Sequence, residues 1–339
     1  MAKYEVKIEV AVRSPNWLGD AIMALPAIKA LAGIFGDPSI NGVGSITILA
    51  REGLEDIFGR FPFVRDVVTF NRTSEARIHW GLSLSGVGKI ILFTNSFRSA
   101  WNGYRTGAPL RAGYSGNFRS LLLTHRMPPD KTLHMTDYYL NLLKVFGKSG
   151  FSKEIEFPLY EVERDFAASL GDLNGAVGIP LGARFGPAKC WPEEKLKELI
   201  GLIRSRTKRV VVLFGTKAER VQATELVEFA KTVSPENGAI IDLTGRTTIG
   251  EMAAVMRSCE WIVANDSGPL HLAAAVGAKV LALFGSTDPV RTAPLSGNVR
   301  IINKSVECAP CYKRECPIDF RCMQEIGAEE VFDIIEGKP

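Results

Sequence analysis

The sequence predicts an α/β protein built from two doubly wound domains facing a cleft. Three observations carry that expectation. The chain has 339 residues, more than the roughly 100–200 of one compact unit. Short β-branched runs alternate with longer amphipathic segments, which is the pattern of parallel βαβ units. The alternation occurs twice, and polar residues with Pro158 interrupt it between about 151 and 174.

In the first half, strands are expected at 6–12, 45–49, 66–70 and 89–94. The clearest helix there is 20–35, where Ile22, Leu25, Ile28, Ala32 and Phe35 recur at helical spacing. In the second half, strands are expected at 176–179, 209–214, 239–242, 261–264 and 279–284, with helices near 193–206, 217–232, 247–258 and 267–276. The domains are placed at 1–160 and 161–325, followed by a C-terminal helix and tail at 326–339. Open parallel sheets bind ligands at the carboxyl ends of their strands, so the site is expected in the cleft between the domains.

Composition excludes several function classes. Apolar residues are 46% and charged residues 23%, which rules out a largely disordered chain. The net charge of +4 is too small for a dedicated nucleic-acid binder. That charge is unevenly spread: residues 1–160 carry 19 Lys and Arg against 13 Asp and Glu, and residues 161–339 carry 22 against 24. Between Glu75 and Asp130 no acid occurs, yet Arg77, Lys89, Arg98, Arg105, Arg111, Arg119 and Arg126 all fall there. Pro26 and Lys29 interrupt the apolar run at 21–35, so no membrane span is expected. The opening MAKYEVKIEV alternates charged and apolar residues like a strand and unlike a secretion signal, giving an expected cytoplasmic location.

Three stretches have the residue types for chemistry. Arg13-Ser-Pro-Asn-Trp-Leu-Gly-Asp20 joins the first strand to the first long helix, and Asp20 there is either a helix cap or a general base. A single glycine beside Pro15 and Trp17 is not a dinucleotide fingerprint, which argues against a nicotinamide-dependent oxidoreductase. Gly182-Ala-Arg-Phe-Gly-Pro-Ala-Lys-Cys-Trp-Pro192 sets a lysine just before a helix start, so Lys189 is either a solvated loop residue or a phosphate ligand. Ala264-Asn-Asp-Ser-Gly-Pro-Leu-His271 leads a strand into a helix capped by Asp266 or Ser267. The free amides there suit a diphosphate leaving group, and His271 is either part of that site or a core histidine.

These motifs resemble the ADP-heptose:lipopolysaccharide heptosyltransferases, most of all the heptosyltransferase II branch. The matching stretches are Ser14-Pro-Asn-Trp-Leu-Gly-Asp20, Asn95-Ser-Phe-Arg-Ser99, Phe185-Gly-Pro-Ala-Lys-Cys-Trp-Pro192, Leu213-Phe-Gly215, Asn265-Asp-Ser-Gly268 with His271, and Phe284-Gly-Ser-Thr-Asp-Pro289. The resemblance implies two Rossmann-like domains of the GT-B type and an inverting glycosyltransferase that requires no cofactor and no metal. It implies ADP-heptose as donor, bound by the C-terminal domain, and the lipopolysaccharide inner core as acceptor, bound by the N-terminal domain at the cytoplasmic face of the inner membrane. Carried over by position, Asp20 is the expected base and Lys189 the phosphate-binding lysine. Glu219, Asp266, Ser267, Gly268 and His271 complete the expected donor site. Asn95, Arg98, Arg105 and Arg119 are the expected acceptor contacts, since arginine pairs well with carboxylates and phosphates; a solvated basic face or attraction to anionic lipid headgroups is the alternative for the arginines.

Within the same class, transfer to another core position or from another nucleotide sugar stays open. A non-catalytic glycolipid-binding protein is the reading from a different class. The sequence departs from the family where Arg184 stands in place of an acid and Cys190 in place of a basic residue. Cys308-x2-Cys311-x4-Cys316-x5-Cys322 has one close pair only, where a zinc ribbon normally shows two. Reduced thiols or a disulfide are therefore expected there with no metal, a zinc or iron–sulfur site being the alternative.

Overall fold

The computed structural model describes residues 8–36, 44–84, 86–234 and 238–338. The chain divides into two compact units, Met1–Ile155 and Glu156–Pro339. The division falls five residues before the expected 160/161 boundary. The reason is Phe157, which is buried and donates its amide to Ala275 O of the second unit at 3.1 Å.

Unit 1 runs β1 (Val10–Arg13), α1 (Leu18–Phe35), β2 (Ile46–Arg51), α2 (Glu55–Phe58), β3 (Val64–Phe70), α3 (Glu75–Leu84), β4 (Lys89–Leu92), α4 (Phe97–Arg105), β5 (Leu110–Tyr114), β6 (His125–Met127) and α5 (Met135–Asn141). Its strands form one parallel sheet in the order β3-β2-β1-β4-β5-β6. β1 is central, with Val10 paired to Ile46 on one side and Lys89 on the other. The expected first strand began at Val6, which lies outside the described residues. β5 and β6 fall outside the expected strands, because LRAGY and HRM lack the β-branched alternation that marks a strand.

Helix α1 corrects the reading of its apolar run. Eighteen residues of Leu18–Phe35 form one helix, long and apolar enough by length and composition to cross a membrane. Pro26 stands inside it, and Ala21 through Ile28, with Leu31 and Ala32, are buried. Burial at roughly 25 cal/mol per Å² of apolar surface makes this helix a main prop of unit 1.

Unit 2 runs α6 (Glu161–Ser169), β7 (Val177–Pro180), α7 (Glu193–Arg206), β8 (Val211–Phe214), α8 (Arg220–Val233), β9 (Ile240–Asp242), α9 (Ile249–Ser258), β10 (Trp261–Asn265), α10 (Gly268–Ala275), β11 (Lys279–Phe284), α11 (Pro289–Thr292), β12 (Val299–Asn303), α12 (Arg321–Gln324) and α13 (Ala328–Ile335). Its parallel sheet has the order β12-β11-β10-β7-β8-β9. Numbered from its own first strand, this is the 3-2-1-4-5-6 order of unit 1 read from the other edge. The segment at 326–339, expected as a separate tail, belongs to this unit's core: Ile326, Val331, Phe332 and Ile335 pack with Leu199, Ile203 and Val211.

The shared topology places a switch point in each sheet, where successive connections leave toward opposite sides. In unit 1 it lies between β1 and β4, and in unit 2 between β7 and β10. The crevice beyond the carboxyl ends of such a strand pair is where open α/β sheets hold ligands.

Candidate functional sites

The unit 1 half-site forms where β1 and β4 end. Arg13 closes β1 with its guanidinium buried: Nε donates to Glu75 Oε1 at 2.9 Å, Nη2 to Asn16 Oδ1 at 2.9 Å and Nη1 to Ser14 O at 2.5 Å. Its plane lies over the Phe70 ring, 4.2 Å from the centroid. One side chain thus fixes the turn at 14–16 that delivers Asp20. The cap position of α1 is Trp17, so Asp20 is the third helical residue, at the positive end of the helix dipole.

Helix α5 packs on α1 and presents two adjacent tyrosines to this half-site. Tyr139 donates its hydroxyl to Asp20 Oδ1 at 3.2 Å. Burial, with the Asp20 carboxylate as second cause, pushes the Tyr139 phenol well above its ordinary range, so it remains a donor. Tyr138 accepts from Asn95 Nδ2 at 2.8 Å, and Asn117 Nδ2 donates to Asn95 O at 2.9 Å. Asp20 and Asn95 are therefore joined through consecutive residues of one helix. Sequence reasoning missed both tyrosines; the signal was a polar-tipped aromatic pair, Tyr138-Tyr139, in a short amphipathic stretch.

The arginines expected beside Asn95 separate. Arg98 is exposed on the first turn of α4, whereas Arg105 is exposed on its last turn, roughly 10 Å farther along the axis. Arg119 is 0% exposed, which is incompatible with the direct acceptor contact expected of it. It donates through Nη1 to Thr94 O, and burial lowers its pKa to about 10. Its Nε and Nη2, with the Thr94 hydroxyl, are buried without hydrogen-bond partners. Arg119 thus braces the turn that carries Asn95.

In unit 2 the loops after β7 and β10 meet. Lys189 Nζ lies 2.5 Å from Asp266 Oδ2, with side chains 13% and 5% exposed. The same oxygen accepts from Thr287 Oγ1 at 2.6 Å, which brings in the loop after β11. Trp191 N donates to Asn265 Oδ1 at 2.9 Å and ties the lysine loop to the end of β10. Ser267 caps α10, with Gly268 and Pro269 opening the helix, and the Ser267 hydroxyl is buried with no partner. The Ser286 hydroxyl is likewise buried and unpartnered. An ion pair, a helix N-terminus and two unpaired hydroxyls suit a polyanionic ligand.

Glu219 lies at the neighbouring strand end. Its Oε2 accepts from Thr216 N at 2.7 Å, and its Oε1 would stand 2.9 Å from a Cβ added to Gly182. Burial raises the Cys190 thiol pKa, with the Glu219 charge adding to the effect, which keeps this thiol neutral. His271 is buried one turn into α10. All six cysteines are free. Among the described residues, no group of three or more His, Cys, Asp or Glu is arranged to hold a metal ion. Sequence reasoning missed Ser286 and Thr287, although both stand inside the Phe284-Gly-Ser-Thr-Asp-Pro289 motif.

Two Rossmann-like units with polar switch points define the GT-B class of glycosyltransferase folds. The description of glycosyltransferase family 9 (heptosyltransferase) matches residues 83–320, and the chain belongs to that family. It is 25% identical to lipooligosaccharide heptosyltransferase 2 of Campylobacter jejuni subsp. jejuni serotype O:6, over 97% of this chain and 98% of that one. Its fold matches E. coli ADP-heptose lps heptosyltransferase II with a TM-score of 0.79 at 23% identity, covering 97% and 98% of the two chains. It also matches the E. coli heptosyltransferase WaaC with ADP, with a TM-score of 0.71 at 19% identity over 97% and 99%.

Proposed function

We propose that this enzyme transfers L-glycero-D-manno-heptose from ADP-heptose to a singly heptosylated lipopolysaccharide inner core, with inversion at the anomeric carbon. The observation that carries the donor side is the knot of Lys189, Asp266 and Thr287 beside the open start of α10. Unit 1 supplies the other requirement, a carboxylate at a switch point held by a phenol donor.

In this mechanism the acceptor hydroxyl oxygen attacks the anomeric carbon as its proton passes to Asp20. The bond from that carbon to the diphosphate oxygen breaks, and ADP leaves with the electron pair. Lys189, the Ser267 hydroxyl and the α10 amides take up the developing charge, as preorganised donors do most effectively. Glu219 lies at the next strand end, where a ribose would extend from the diphosphate, and His271 supports the start of α10. Asn95 and Arg98 orient the acceptor. These residues supply base and charge stabilisation themselves, so the transfer requires no cofactor.

The acceptor assignment rests on the similarity to heptosyltransferases numbered 2 or II. A membrane-borne acceptor also suits the outer face of α4. There Phe97, Trp101 and Tyr104 are exposed and stack in series, with ring centroids 6.5 and 5.8 Å apart. Phe118 and Leu121, 96% and 91% exposed, follow in the loop toward β6. Aromatic rings next to Arg98 and Arg105, with the Arg111 guanidinium 5.4 Å from the Tyr104 centroid, match an anionic lipid surface. Six free thiols are in keeping with a reducing compartment, which supports a location on the cytoplasmic side of that membrane.

The test is Asp20→Asn. ADP-heptose binding is expected to persist while transfer falls by at least two orders of magnitude, the usual contribution of a general base. Normal turnover in that variant would sink the mechanism.

A further inference from the structure

The segment bearing the four clustered cysteines lies against the donor loop. Arg314 O accepts from Ala188 N at 3.0 Å, and Tyr312 N donates to Ser286 O at 2.8 Å, so residues 312–314 lean on two of the loops that form the unit 2 half-site. Gly186 makes this approach possible. Its φ is +154°, and a Cβ there would stand 2.5 Å from Arg314 O. The exposed Arg314 side chain returns to the same place, with its guanidinium 5.5 Å from the Phe185 centroid. Lys189 Nζ lies 4.9 Å from that same centroid.

Charge counting shows what this arrangement provides. The diphosphate of a nucleotide sugar carries two negative charges. Lys189 is already paired with Asp266 at 2.5 Å, so together they bring no net charge to it. The N-terminus of α10 contributes about half a positive charge. A further cation is needed, and Arg314 lies against the Phe185 ring that Lys189 also approaches. We infer that Arg314 is a second cation for the donor diphosphate, supplying the charge that the Lys189–Asp266 pair withholds. The inference rests on the donor-site reading of unit 2. It gives the cysteine-bearing segment a role in donor binding, and a guanidinium is well shaped to pair with phosphate oxygens.

The experiment measures ADP and adenosine binding by calorimetry on the full chain. Arg314→Ala is expected to weaken ADP about 10- to 100-fold, the value of one charge-assisted hydrogen bond, and to leave adenosine unchanged. Arg314→Lys should recover part of the loss. Arg321→Ala, on the same segment but paired with Asp319 at 2.8 Å, should match the wild type. An ADP affinity for Arg314→Ala within twofold of wild type, with Lys189→Met weakened, would overturn the inference and leave the donor site standing. Equal losses of ADP and adenosine would also overturn it, because they report a displaced loop. So would a loss on Arg291→Ala that Arg314→Ala lacks, since Arg291 lies in α11 just after the Ser286–Thr287 loop and its Nε is buried without a hydrogen-bond partner. Full ADP affinity in both Arg314→Ala and Lys189→Met would remove the donor-site reading itself.

Discussion

Replacing Lys189 with methionine separates the structural role of its ion pair from its role toward the donor. The aliphatic stem stays, but Asp266, 5% exposed at its side chain, loses its ammonium and keeps only the Thr287 hydroxyl among the two donors identified. Breaking a buried pair by removing one partner costs about 3–5 kcal/mol, and the 13% exposure of Lys189 argues for the lower end, about 3 kcal/mol. For a unit of this size each kcal/mol moves the midpoint by roughly 2–4 °C, so Tm of unit 2 should fall by about 6–12 °C. ADP affinity should fall about 10- to 100-fold in the same variant. Lys189→Met/Asp266→Asn removes both charges and should regain most of the stability, while ADP affinity stays reduced because the hydrogen bonds from the ammonium to the diphosphate are lost. Calorimetry, scanning for Tm and isothermal for ADP, reads both quantities. An unchanged Tm in Lys189→Met would refute the claim that the pair holds the loops together, and restored ADP binding in the double variant would refute the ligand role of the lysine.

Other outcomes follow from the unit 1 half-site. Tyr139→Phe removes the hydrogen bond that the phenol gives the Asp20 carboxylate at 3.2 Å, so kcat should fall about 10-fold with ADP affinity unchanged, and an unchanged kcat would contradict the role of Tyr139. Glu75→Ala leaves the buried Arg13 guanidinium without its carboxylate and should cost about 3–5 kcal/mol in urea unfolding, whereas a change below about 0.5 kcal/mol would mean that Asn16 and Ser14 suffice to hold it. Phe118→Asp/Leu121→Asp adds charge to two exposed apolar side chains, so sedimentation with vesicles rich in phosphatidylglycerol should fall several-fold while Tm is kept; equal sedimentation would detach this face from the membrane.

Much of the fold was legible because buried parallel strands leave strong apolar runs. Lys279–Phe284 appears at its expected limits, and Trp261–Asn265 extends one residue beyond its own. β5 and β6 were hidden because short strands in an arginine-rich stretch have no periodicity to read. The candidate residues that meet in unit 2 share local motifs at strand ends, where glycine, proline and polar residues punctuate the sequence. Tyr139 was not legible, because its link to Asp20 spans 119 positions and exists only once α5 packs on α1. Arg119 shows the reverse limit: composition marks it as one of several cations, and only packing shows that it faces Thr94 O.

The proposed heptosyl transfer from ADP-heptose to a core that already carries one heptose is tested most directly by a transfer assay with purified protein, ADP-heptose and two acceptors, the unheptosylated and the singly heptosylated inner core, with products separated by mass. One heptose is expected on the second acceptor and none on the first. Transfer to the unheptosylated core alone, or no transfer to either while ADP still binds, would contradict it.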